Sequence, residues 1–193
     1  MKKWLLGLLL IGLGLGGKLS AQAQLGYFNQ TEFGMLVTNQ SSLASSGKAA
    51  ISIHTTNGYR FSQRLGVGAG TGVDAYEGRL LVPLTLALTG DLGKLANQRV
   101  VPFYRFAIGH GFDLTKQNDD RGQIWRGGTT RQTGGLLVQP LLGLKIRAGE
   151  GTAFTFQCGY RWQTVHNLTE FGTSSTDQKI IFRRLFLGIG FAF

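Results

Sequence analysis

Cysteine, proline, charge and long apolar runs are all scarce in this chain, and each scarcity excludes something. The single cysteine, Cys158, rules out an internal disulfide framework. It stands between Phe156 and Tyr160 on an apolar face, with no basic or His neighbour to activate it, so it reads as inert packing. Only three prolines interrupt 193 residues, leaving thirty glycines as the main punctuation. Charged residues make up 16%, against about 25% in an ordinary globular domain. No apolar run approaches the roughly 20 residues that a membrane helix needs. The formal charge of +10 is spread over the chain and not interleaved with aromatics, so nucleic acid is a poor partner. Metal-ligand spacings, phosphate loops and nucleotide fingerprints are missing, and neither metal nor cofactor is expected.

The longest apolar run lies at the beginning. Lys2 and Lys3 precede a run over residues 4–16, and Ser20-Ala21-Gln22-Ala23 follows. A charged start, a short glycine-broken apolar centre and an A-x-A site describe a signal peptide cut after Ala23. Residues 1–23 are therefore expected to be removed, and residues 24–193 to form one exported domain.

That domain is dominated by alternation. Eight segments carry apolar residues at period two: 27–39, 49–62, 65–75, 79–89, 99–114, 135–147, 152–165 and 180–193. Each matches the roughly 9–11 residues of a tilted membrane-spanning strand. The last is the clearest, with Leu185, Leu187, Ile189, Phe191 and Phe193 on one face and Arg184, Phe186, Gly188, Gly190 and Ala192 on the other. A soluble barrel would turn its apolar set inward and clothe the other face in Lys, Glu and Asp. Here the second face is mostly Gly, Thr, Gln and Ala with scattered Arg. A glycine row such as Gly66, Gly68, Gly70 and Gly72 is wasted on water but suits a crowded interior. The apolar face is nearly free of charge, as lipid contact requires. The expected fold is all-β, an eight-stranded antiparallel up-and-down transmembrane β-barrel. Pro102 and Pro140, which lack a ladder donor, are expected at bulges.

The terminal strand ending on Phe193 resembles those of bacterial outer-membrane β-barrels, in which a final Phe commonly signals to the insertion machinery. Residues 66–93 (GVGAGTGVDAYEGRLLVPLTLALTGDLG) and 101–114 (VPFYRFAIGHGFDL) are similar to small outer-membrane barrel proteins of the Bacteroidetes group, a porin-like, OmpA-barrel-like family. The resemblance covers nearly all of residues 24–193, on generic motifs. It implies a Gram-negative outer-membrane location, with outer-membrane lipid and the assembly machinery as partners, and supplies no catalytic residues.

Connections after the second and sixth segments are short. Those at 40–48, 115–134 and 166–179 are long and hydrophilic, which puts both termini on the periplasmic side. Eight strands enclose a bore just wide enough for side chains to fill. Inward positions carry Glu32, His54, Arg60, Asp74, Arg79, Arg105, Lys145, Arg147, Arg161 and Arg184. Glu32 and Arg60, on adjacent strands, are the expected central pair. The reading is a plug of cross-linked charges in a non-enzymatic barrel that is structural or binds through its outer loops. A narrow small-solute channel is the alternative. A lipid-modifying enzyme, of the deacylase or acyltransferase kind, is the second alternative; it rests on His54 among Ser52, Thr56 and Glu32. Trp125 beside Arg126, in the longest loop, is the place for an outer ligand.

Overall fold

The computed structural model describes residues 26–38, 49–76, 79–93, 98–114, 128–149, 151–171 and 174–193. The expected signal peptide, residues 1–23, and Trp125 and Arg126 lie outside them. The elements are β1 (Gly26–Val37), β2 (Ala49–Ser62), β3 (Leu65–Tyr76), β4 (Arg79–Asp91), β5 (Val100–Asp113), β6 (Gly128–Thr133), β7 (Leu136–Arg147), β8 (Ala153–Phe171) and β9 (Ser174–Ala192). Every pairing is antiparallel, and β9 meets both β8 and β1, so the sheet closes.

The segments β6 and β7 are two parts of one wall strand, which makes the barrel eight-stranded. Both pair with β8, Thr133 opposite His166 and Leu137 opposite Gln163. That leaves one more residue on the β6–β7 side than on β8, a local bulge at Gly134-Gly135. A side chain at Gly134 would run into the Gly111 carbonyl oxygen, so the backbones approach too closely there for anything larger.

The apolar face points outward. Phe33, Ile51, Leu86, Leu142, Phe156 and Ile189 all stand exposed, while their strand neighbours are buried. An apolar surface on every wall strand far exceeds the patches that water-soluble monomers show, and its solvent is lipid. The glycine row faces inward as expected: a Cβ on Gly70 would press on the His54 ring and the Thr85 and Thr56 hydroxyls. The interior holds Phe28, Phe103 and Phe186, and between them polar and charged side chains.

Three expectations are corrected. Pro102 and Pro140 sit in unshifted ladders; the β7–β8 pairing merely lapses between Val138 and Leu141, with the register kept on either side. The expected loop at 166–179 is largely strand, because β8 and β9 run on in register to Phe171 and Ser174. Arg147, expected inside, is exposed where β7 ends.

Candidate functional site in the barrel interior

The inward positions assemble into three tiers, each centred on one carboxylate clamped by cations from other strands. Nearest the mouth that holds the ends of β1 and β9, Asp91 accepts from Lys145 Nζ at 2.5 Å and from Arg60 Nη1 at 3.1 Å. Lys145 Nζ lies 5.0 Å from the Phe103 ring centre, and the Arg60 guanidinium 5.6 Å from that of Phe28. These rings floor the tier and give both cations a favourable apolar neighbour.

In the middle tier Glu32, fully buried, accepts from Arg105 Nη2 and from Gln157 Nε2. Gln30 Nε2 donates to Gln157 Oε1 at 3.2 Å. His54 sits opposite Glu32 in the β1–β2 register, its Nδ1 3.7 Å from Glu32 Oε1 and its Nε2 3.3 Å from Thr85 Oγ1. The Thr85 hydroxyl donates to the Gly70 carbonyl at 3.3 Å.

Toward the other mouth, Asp74 Oδ2 accepts from Arg161 Nη1 at 2.6 Å. Arg161 also gives Nε and Nη2 to Gln139 Oε1, at 3.2 and 2.9 Å, and lies over Phe186. Arg184, next along the wall in register with Arg161, stacks on Phe182 at 4.9 Å.

Eight of the ten expected interior residues therefore line the lumen, Arg147 stands outside it and the Arg79 side chain lies outside the described ones, and the expected central pair does not form. Glu32 takes Arg105 from across the barrel, and Arg60 takes Asp91. Register explains the outcome: Arg60 pairs with Gly26, at the far end of β1 from Glu32's partner His54. Asp91 was missed because its TGDLG context reads as a turn. Its signal is the inward row Thr85, Ala87, Thr89, which continues one step to Asp91.

Among the described residues three carboxylates face five cations, and the side chains of Glu32, Asp74, Arg105, Lys145 and Arg161 are at most 3% exposed. Thr85, His54 and Glu32 do follow the order nucleophile, base, acid. Catalysis needs a nucleophile that a substrate can reach. Thr85 is buried and its proton is committed to Gly70, while Glu32 is committed to Arg105 and Gln157. Ser52 is buried in register with Asp74, and His54 bonds to Thr85 and Thr56 instead.

Two features lie outside the lumen. Phe193 is exposed on the apolar face and exchanges both backbone hydrogen bonds with Asn29, at 2.8 and 3.0 Å, so it completes the closing ladder. An open apolar groove of about 920 Å³ crosses the outer wall between two outward rows, Phe33-Ile189-Phe156-Leu144 and Met35-Leu187-Cys158-Leu142.

This closed barrel of eight antiparallel strands is the fold of small outer-membrane proteins. The chain is similar to the outer membrane protein OprG from Pseudomonas aeruginosa, at 13% identity over 90% of this chain and 96% of that one, with a TM-score of 0.63. Neisserial surface protein A (NspA) aligns at 13% identity over 86% and 96%, with a TM-score of 0.52. The outer membrane protein AlkL, solved in lipid bilayers, aligns at 13% over 93% and 94%, with a TM-score of 0.53. At such identities the likeness is one of fold. No family model matches the sequence, and no curated protein does either.

Proposed function

We propose that this chain is an integral outer-membrane barrel with a structural or loop-mediated binding role, and that it neither conducts solutes nor catalyses. The observation that carries the reading is the Glu32–Arg105 clamp, which spans the lumen at mid-height with a charge-clamped tier on either side. Outer-membrane lipid and the assembly machinery are the partners. Phe193, paired at the closing seam with its ring in lipid, is the insertion signal. Trp125 and Arg126 carry the outer-loop ligand contact. The test is planar-bilayer recording of purified barrel. No discrete conductance steps are expected; steady steps from wild-type protein overturn the plug.

The second reading is a narrow channel. It is favoured by the cation excess among the described lumen residues, five against three. Anion-selective steps in the same recordings would establish it. A lipid-modifying enzyme built on His54 would change lipid A in overexpressing cells, and unchanged lipid A rejects it.

A further inference from the structure

We propose that the outer end of the β8–β9 wall binds a phosphorylated lipid of the outer leaflet. Lys179 and Arg183 take the phosphate, and the apolar groove below them takes an acyl chain. The inference rests on the membrane-barrel reading.

Three observations support it. The first is position. Along β9 the outward residues Phe191, Ile189, Leu187 and Leu185 form an unbroken apolar file, and Arg183 is the next outward position. An apolar band about 25 Å tall ends at the headgroups, where an arginine belongs. Trp162, exposed and opposite Arg183 in register, is the aromatic expected at that depth, and its ring packs on Tyr160.

The second is charge. Arg183 and Lys179 are both exposed on the outward face, four residues and therefore roughly 13 Å apart along the strand. His166 is Lys179's cross-strand partner. Neither residues 179–193 nor residues 153–166 contain an Asp or Glu. Ile181, the outward residue between the two cations, is exposed, while Arg184, beside Arg183, points inward and stacks on Phe182. The carboxylates of these two strands, Asp177 on β9 and Glu170 on β8, lie beyond Lys179 toward the strand ends, so the stretch from Lys179 to Arg183 is cationic and an anionic headgroup is its complement.

The third is the groove. Leu187 and Ile189 form part of its wall, and Arg183 stands two outward positions beyond Leu187 on the same strand. The Thr38 hydroxyl donates to the Arg183 carbonyl, which fixes the backbone at the junction with β1. A lipid with its chain in the groove would bring its phosphate to that level.

The test uses Trp162 as reporter. Residues 24–193 carrying Trp125→Phe are refolded into phosphatidylcholine vesicles and checked by heat-shifted gel mobility. Quenching by brominated phosphatidate is then compared with quenching by brominated phosphatidylcholine. Each cation near the surface favours the anionic lipid by roughly fivefold. Phosphatidate is expected to be preferred, and Arg183→Gln with Lys179→Gln should bring the ratio to near one while leaving the gel shift intact. Equal quenching by both lipids, or a preference that survives the double substitution, overturns the proposal. Absence of the gel shift, with no quenching by either lipid, would instead overturn the membrane-barrel reading. Arg99→Gln, at the opposite mouth, is the control and is expected to leave the ratio unchanged.

Discussion

Arg105 on β5 reaches across the lumen to Glu32 on β1, two strands that are nowhere neighbours in the sheet. The contact therefore ties opposite walls together, which no backbone ladder in a barrel can do. Removing one member of a buried pair leaves an uncompensated charge at a cost of about 3–5 kcal/mol. Glu32→Gln is expected to destabilise the barrel by that amount in urea unfolding from lipid vesicles. The double variant Glu32→Gln with Arg105→Gln should lose less than the two singles combined. Strict additivity would show that the pair is not coupled.

Asp91 serves two cations, so its loss strands both. Asp91→Asn is expected to cost about 3 kcal/mol or more, and adding Lys145→Met should recover part of it. The readout is again the unfolding midpoint. No recovery in the double variant would mean that Lys145 does not depend on Asp91.

Glycines divide by what surrounds them. A Cβ on Gly109 would run into the Leu84 carbonyl oxygen and the Thr85 backbone, whereas one on Gly149 meets nothing within 4 Å. Gly109→Ala should cost about 1–3 kcal/mol, and Gly149→Ala should stay within about 0.5 kcal/mol of wild type. Equal effects at the two sites would contradict the close packing around Gly109.

The lipid face tolerates charge poorly at mid-depth. Leu187→Lys, within the apolar file of β9, is expected to cost about 2–4 kcal/mol, and Leu136→Lys, at the end of β7, about 0–1 kcal/mol. The same unfolding series measures both. A larger penalty at Leu136 would mean that the band sits elsewhere on the wall.

Cys158 gives an independent check on which face meets lipid. It is exposed on the outer wall, opposite Leu187 and Leu142. A charged reagent does not partition into the apolar interior of a bilayer, so a thiol there is out of its reach. A charged maleimide should leave vesicle-embedded protein unlabelled and label it after unfolding in detergent. Rapid labelling in intact vesicles would place Cys158 in water.

Strand positions were legible because alternation is enforced along every residue of a wall with lipid on one side and packed polar groups on the other. The seven segments from 27–39 to 152–165 each lie within a residue or two of their strands at most ends. The terminal segment is part of β9. The extension of β8 and β9 past Val165 was not legible, since residues 166–179 carry loop-like composition while the backbones of 166–171 and 174–179 stay paired. Inward residues were equally readable, but their partners were not. Pairing inside a barrel depends on shear and on reach across the lumen, so Glu32 meets Arg105, a residue distant in sequence, and not Arg60 on the next strand. Local sequence carries no record of such distances.

The seam between β1 and β9 has a bearing on how the barrel forms. It joins Gln30 to Ala192 and Val37 to Leu185, contacts between the two ends of the described wall, while β2 to β5 pair only with sequential neighbours. Loop-closure entropy makes such a contact the slowest to pay back. Hairpins can zip one after another, yet both edges stay open to other chains until the seam shuts. A circular permutant that links the two ends and opens the Gln63–Arg64 turn keeps every ladder. It converts this long closure into a local hairpin and hands the late step to β2 and β3.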